Sequence, residues 1–185
     1  MEQTYFNYNL KPGLAISDFF VGKTNINAFN LLILDTSKSN KYLLIGPKKS
    51  GKTHLSLIWK KKFSAINYRY NFHEVINSKK NVIIDNFFDN IKEEEIFHII
   101  NHCDLNNLQI LLTSSLSLNF YKFNLMDLSS RLKTFLSINI DLPDDELLTN
   151  LMIKLFHDKQ IIIKNPEILN YILKRVDRSY EKIFL

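Results

Sequence analysis

Tyr42-Leu43-Leu44-Ile45-Gly46-Pro47-Lys48-Lys49-Ser50-Gly51-Lys52-Thr53 is the stretch that decides the fold. A short continuous apolar run that stops at a glycine is the pattern of a strand buried on both faces in a parallel sheet. The eight residues from Gly46 to Thr53 then match G-x-x-x-x-G-K-[ST], the sequence of a loop that wraps a phosphate chain with its backbone N–H groups. Gly51 permits the close approach, and the helix expected over Thr53 to Phe63 adds the positive field of its N-terminus. Lys52 is placed to reach the β and γ phosphates of a nucleotide and the Thr53 hydroxyl to ligate Mg²⁺. The chain has only four glycines, and two of them fall where this loop needs them.

Working outward, Val82-Ile83-Ile84 and Ile110-Leu111-Leu112 are further strand-like runs, with Ile96, Ile99, Ile100 and Cys103 at helical spacing between them. Strands alternating with helices indicate an α/β parallel sheet, which Phe135 to Ile140 extends by one more strand. Asn25 to Leu34 reads as a short helix. Residues 1–24 read as an extended arm, 25–141 as the α/β domain, and 142–185 as a small helical segment. That last segment opens at Pro143-Asp144-Asp145-Glu146, carries a stripe of Leu147, Leu148, Leu151, Met152, Leu155 and Phe156, and restarts at Asn165-Pro166-Glu167.

Asp85 closes the second apolar run with a carboxylate. It is read either as the acid that holds Mg²⁺ through water or as the cap of a turn. Asn86 follows where many ATPases place a second acid to polarise the attacking water, and an amide takes no proton at neutral pH. Nucleotide binding is therefore expected more firmly than fast hydrolysis. Glu93-Glu94-Glu95 reads as first-turn acids on a positive helix end.

Composition bounds the remainder. Over 185 residues, 24 lysines and arginines against 19 acids give a formal charge of +5, mildly basic and compatible with phosphate-bearing partners. The single cysteine, Cys103, excludes an internal disulfide and any cysteine-built zinc site, and suits a reducing cytoplasm. No apolar run approaches the ~20 residues of a membrane span, and the N-terminus lacks a signal-peptide pattern. Lys48, Lys49, Lys52 and Lys60 to Lys62 form the densest basic stretch, which the phosphate loop and a helix C-terminus explain better than direct DNA contact does.

These residues, in this order, resemble the Hda family, relatives of the bacterial replication initiator DnaA within the AAA+ ATPases, and most closely its alphaproteobacterial form. The resemblance runs from Gln3-Thr4-Tyr5-Phe6-Asn7-Tyr8 and Asp18-Phe19-Phe20-Val21-Gly22 through the phosphate loop with Thr53-His54-Leu55. It continues in Asp127-Leu128-Ser129-Ser130-Arg131-Leu132, Pro143 to Leu148, Lys154 to Gln160 and Val176-Asp177-Arg178-Ser179. It implies a P-loop AAA+ sheet with a C-terminal helical lid, binding ADP or ATP with Mg²⁺. Phe20, Val21 and Gly22 would cover the adenine; Gly46, Pro47, Lys48, Lys49, Ser50, Gly51, Lys52, Thr53 and His54 would hold the phosphates; Thr53 and Asp85 would serve the metal.

The resemblance further implies that Arg131 is an arginine finger reaching into a neighbour's nucleotide, that Arg178 is the sensor 2 arginine returning from the lid, and that Thr113-Ser114-Ser115 forms the sensor 1 strand end. Gln3, Phe6 and Tyr8 would bind the replisome's sliding clamp as an extended peptide. In this sequence Phe6 stands where the peptide usually has Leu, and Asn7 where it often has Pro. Little chain follows Arg178, so the lid is expected to be short. No segment corresponds to the helix-turn-helix domain of DnaA, which argues against an initiator.

The function implied is an adaptor that, with the DNA-loaded clamp, stimulates hydrolysis of DnaA-bound ATP and so restrains initiation, with weak or no ATPase activity of its own. DNA contact would be indirect or weak, no membrane is involved, and homo-oligomers are conceivable. The alternative is a self-contained AAA+ ATPase, such as a helicase-loader-like protein or a DnaA-paralogue initiation factor. A small-molecule kinase would need an arginine-rich lid, and only Arg69, Arg131, Arg175 and Arg178 are available.

Overall fold

The apolar run at 42–45 is β1 (Lys41–Ile45), and it lies inside a sheet of five parallel strands. The computed structural model describes residues 15–34, 39–69, 71–88, 92–161, 167–175 and 178–183. In spatial order the sheet runs β2 (Ile66–Asn67), β3 (Val82–Ile84), β4 (Ile110–Ser114), β1, β5 (Leu136–Asn139). Leu43 pairs with Leu112 on one side and with Ser137 on the other.

Alternation along the strands divides the core in two. Tyr42, Leu44, Ile83, Leu111 and Ile138 face one layer, where α1 (Ile26–Leu32) and α2 (Lys52–Lys62) bring Ala28, Leu32, Leu55 and the fully buried Trp59. Leu43, Val82, Ile84, Ile110 and Leu112 face the other. There α3 (Phe72–Ser78), α4 (Glu93–Leu105) and α5 (Met126–Leu132) supply Val75, Ile96, Ile99, Ile100, Cys103, Leu128 and Leu132. At roughly 1.5–3 kcal/mol for each large aliphatic side chain buried, these two layers supply most of the drive to fold.

After β5 the chain is helical in α6 (Asp145–Asp158), α7 (Glu167–Leu173) and α8 (Tyr180–Ile183). Asp144 caps α6, accepting from the Leu147 N–H at 2.8 Å, as the run of acids at its start requires. Among the described residues no helix is long and apolar enough to cross a membrane.

Several local expectations are refined. The first described residues of the arm are not extended: Ile16–Asp18 makes a 3-10 turn, because the Asp18 carboxylate accepts the Ala15 N–H at 3.0 Å. Glu93 does more than meet a helix dipole, since its carboxylate accepts the backbone N–H groups of Asn124 (3.1 Å) and Leu125 (2.6 Å) and so fixes the start of α5. Glu95 accepts the Tyr68 hydroxyl.

Candidate functional site

The connections after the neighbouring strands β1 and β4 leave in opposite directions, β1 toward β2 and β4 toward β5. The crevice beyond the carboxyl ends of such a strand pair is where open α/β sheets receive ligands. Both ends carry chemistry here. β1 delivers the phosphate loop, and β4 ends in Thr113 and Ser114.

Gly46 is fixed by close approach. A Cβ at this position would come within 2.8 Å of Ser50 Oγ and 3.0 Å of Ile140 Cβ. Gly51 is fixed by its backbone: its φ of 92° lies in the left-handed region, and a Cβ would press on the Phe19 ring at 3.1 Å. Lys49 also has positive φ, 61°, so the loop coils tightly over the start of α2. Inside that coil the Lys52 ammonium donates to the carbonyls of Gly46 (2.7 Å) and Pro47 (2.8 Å). Burial pulls the Lys52 pKa down, and the nearby Asp85 carboxylate pushes it back up. Ser50 Oγ is buried without a hydrogen-bond partner.

A cation buried among carbonyls, an orphaned hydroxyl and a glycine-lined coil together make a cradle suited to phosphate oxygens.

Beside the cradle, Thr53 Oγ1 donates to Asp85 at 2.9 Å, and Thr113 Oγ1 donates to the other carboxylate oxygen at 2.5 Å. The Thr113 hydroxyl in turn accepts the Asn86 N–H at 2.8 Å. Asp85 is thus held from one neighbouring strand end and one helix start. A hydroxyl and a carboxylate at this spacing fit Mg²⁺, which takes one or two protein oxygens and completes its shell with phosphate and water. Asn86 has φ 46°, a conformation that asparagine tolerates well, so this residue also shapes the turn that aims its own N–H at Thr113.

Next to the loop a cleft of about 230 Å³ opens between the arm, α2 and α6, lined by Phe19, Phe20, His54, Leu147, Leu151 and Tyr180 among others. The arm is pinned over it by the buried Asn25, whose side chain accepts the Gly22 N–H (2.8 Å) and donates to the Phe20 carbonyl (2.8 Å). His54 Nε2 lies 2.9 Å from the Ala15 carbonyl, and its ring meets Phe19 edge-on. From the far side, Lys154 of α6 donates to the Asp18 carbonyl at 2.8 Å. The Tyr180 hydroxyl donates to the Asp141 carbonyl at 3.1 Å, which carries α8 to the cleft. An apolar slot beside a phosphate cradle has the form of a site for a flat heterocycle bearing phosphates.

The structure gathers the phosphate-loop residues, His54, Phe20 and Asp85 into this one region. Val21 is 44% exposed, and a Cβ at Gly22 would meet Leu147 only at an ordinary 3.7 Å. Arg178 is placed elsewhere in its interactions: its guanidinium donates to Asp145 at 3.1 Å, at the start of α6. Arg131 sits toward the opposite, amino end of the strands. It pairs with Asp104 at 3.3 Å, and Asp104 pairs with Lys41 at the first residue of β1, whereas the cradle follows the last. The five residues of β1, at about 3.3 Å each, separate the two by roughly 15 Å. Gln3, Phe6 and Tyr8 lie outside the described residues. Asn25, Phe19, Lys154 and Tyr180 escape sequence reasoning; only tertiary packing brings them to the cleft.

The fold is that of solved DnaA structures. The chain superposes on AMPPCP-bound DnaA from Aquifex aeolicus with a TM-score of 0.74 at 17% identity, covering 95% of this chain and 64% of that one. Against domain III of the Thermotoga maritima replication initiation protein DnaA the TM-score is 0.73 at 20% identity, covering 94% of this chain and 85% of that one. Replication initiator DnaA bound to AMPPCP and single-stranded DNA gives 0.74 at 19% identity. This chain therefore spans less than two thirds of the longer DnaA chains it matches. No family model matches the sequence. No curated protein matches it either. These likenesses show the fold alone: a parallel sheet flanked by helices, as in those DnaA structures.

Proposed function

We propose that this protein is an adenine-nucleotide-binding AAA+ adaptor of the Hda type, which stimulates hydrolysis of ATP held by DnaA and thereby restrains replication initiation. The observation that carries the reading is the separation of the phosphate cradle from Arg131, toward opposite ends of strand β1. An arginine so placed is out of reach of its own nucleotide and serves only a neighbour's.

In the chain's own site, Lys52, the loop N–H groups and Ser50 would bind the phosphates, and the cleft under Phe20 and beside Leu147 would take the adenine. Thr53 and Asp85 would hold Mg²⁺, which supplies charge neutralisation for the phosphates. With Asn86 beside Asp85, the bound nucleotide acts as a structural element and turns over slowly at most. Two DnaA neighbours were solved with AMPPCP, which supports an adenine nucleotide in the corresponding place. In the partner's site, Arg131 would stabilise charge developing on the transferred phosphoryl group, an effect of about 10³ to 10⁵ in rate in comparable NTPases. The sliding clamp, reached through Gln3, Phe6 and Tyr8, would hold the adaptor on DNA.

The test is single-turnover hydrolysis of ATP pre-bound to DnaA, with and without this protein, in the presence of clamp loaded on DNA. The expected result is acceleration that needs both protein and clamp. The reading fails if DnaA is unaffected while the protein alone hydrolyses ATP at several per second, which would mark a self-contained AAA+ ATPase.

A further inference from the structure

Arg131 is not a free surface side chain. Its guanidinium lies over the Phe97 ring, 5.1 Å from the centroid, while one N–H edge meets Asp104 at 3.3 Å. Asp104 is itself anchored, receiving the Lys41 ammonium at 2.7 Å. Phe97 and Asp104 both stand on α4, which is fixed to the second core by Ile96, Ile99, Ile100 and Cys103. A helix anchored in the core by one face thus grips the arginine by one face and one edge. A guanidinium has five donors, and this grip uses one edge of the fork while the side chain stays 40% exposed.

From this we infer that Asp104 and Phe97 are positioning residues for the arginine finger. The inference rests on the adaptor reading of Arg131. They hold the planar fork in one orientation before the partner arrives, so that the rotamer entropy of a long side chain is lost on folding and not at the encounter. The Asp104 carboxylate sets the rotation of the fork and the Phe97 ring sets its plane; Lys41 keeps Asp104 from following the arginine when the partner docks. In the reaction served, a water oxygen attacks the γ-phosphorus of the partner's ATP as the bond to the β–γ bridging oxygen breaks. ADP and inorganic phosphate leave with the water's protons, and Arg131 donates hydrogen bonds without exchanging atoms or electrons. Misplacing a donor by about 1 Å in such a step costs up to roughly 100-fold in rate.

The experiment measures single-turnover hydrolysis of DnaA-bound ATP against increasing concentration of this protein, with clamp on DNA, for wild type, Arg131→Ala, Asp104→Asn, Asp104→Glu, Phe97→Leu and the double variant Asp104→Asn/Arg131→Ala. Asp104→Asn and Phe97→Leu are expected to lower the plateau rate by about 10- to 100-fold with the half-saturating concentration unchanged. Asp104→Glu should recover much of the plateau, and Asp104→Asn should cost nothing further on the Arg131→Ala background.

A plateau equal to or above wild type in Asp104→Asn would overturn the inference, the higher value making Asp104 a brake. So would a raised half-saturating concentration at full plateau, which would make these residues part of the docking surface. If Arg131→Ala fails and Asp104→Asn does not, the positioning role alone falls. If Arg131→Ala stimulates like wild type, the adaptor reading falls first and takes the positioning role with it.

Discussion

Replacing Thr113 with valine removes one hydroxyl from the centre of the site and leaves its shape almost unchanged. That hydroxyl is fully buried, donates to Asp85 at 2.5 Å and accepts the Asn86 N–H at 2.8 Å. A hydrogen bond to a charged group is worth about 1.5–3 kcal/mol, and an N–H left without its acceptor costs about 1–3 kcal/mol if water cannot reach it. Asn86 stands at the surface and Asp85 is half-buried, so water recovers part of both losses. The net expectation is a loss of roughly 2–4 kcal/mol.

Urea unfolding followed by circular dichroism measures this directly, and with a slope of about 2 kcal/mol per molar the midpoint should fall by roughly 1–2 M. Thr113→Ser keeps the hydroxyl and loses only a methyl group, so it should cost about 1 kcal/mol. The valine variant should also weaken Mg²⁺-dependent nucleotide binding, because Asp85 loses one of the two hydroxyls that orient it. A midpoint within about 0.3 M of wild type, with unchanged Mg²⁺ dependence, would refute the idea that Thr113 organises the acid.

Three further outcomes are expected. Lys52→Ala should abolish retention of adenine nucleotide in native mass spectrometry and remove the stabilisation that added ADP gives wild type, since ligand that binds only the native state stabilises by mass action. Gln3→Ala with Phe6→Ala should abolish clamp binding in a pull-down on clamp-loaded DNA without changing the melting temperature, because a recognition peptide contributes little to the domain's own core. Burial, with help from Asp104, pushes the Cys103 thiol up to about 12 from an ordinary 9.0, so it should resist alkylation until the protein unfolds. Above pH 9.0 the unfolded thiol ionises and the folded one does not, so stability should fall from there toward about 12 in an alkaline denaturation series. Tyr180, whose pKa is raised by burial, acts in the same direction above 10.0. Lys52, whose pKa is lowered, opposes them just below 10.5.

What the sequence disclosed followed from how local each signal is. The phosphate loop was legible because its glycines, lysine and threonine act within eight residues of chain, between a strand and a helix that each have a clear pattern. The central strands announced themselves as apolar runs buried on both faces. β2 did not, because two residues at the sheet edge, Ile66 and Asn67, carry no periodicity. Helix α3 went unread as well, although its cap is local: Asn71 accepts the Glu74 N–H at 3.2 Å.

The cleft was the least legible part. Asn25, Lys154 and Tyr180 reach it from three distant segments, and although Lys154 opens a stretch that carries the resemblance, no local pattern assigns any of the three to a cleft. Arg178, singled out by resemblance, engages Asp145 at the start of α6, while Tyr180 from the same segment lines the cleft. Local motifs locate the phosphate loop, and packing decides what lines the cleft beside it.

The central claim is a division of labour between the two ends of one sheet's strands: a cradle for the protein's own nucleotide at the carboxyl end, and an arginine for another protein's toward the amino end. Its most direct test is Arg131→Ala, with ADP affinity measured by calorimetry and stimulation of DnaA-bound ATP hydrolysis measured in a single turnover on the same preparation. The account predicts an ADP Kd equal to that of wild type and stimulation reduced by about 10³-fold or more. A variant that stimulates as well as wild type, or one that loses its own ADP together with an intrinsic ATPase activity, would contradict it.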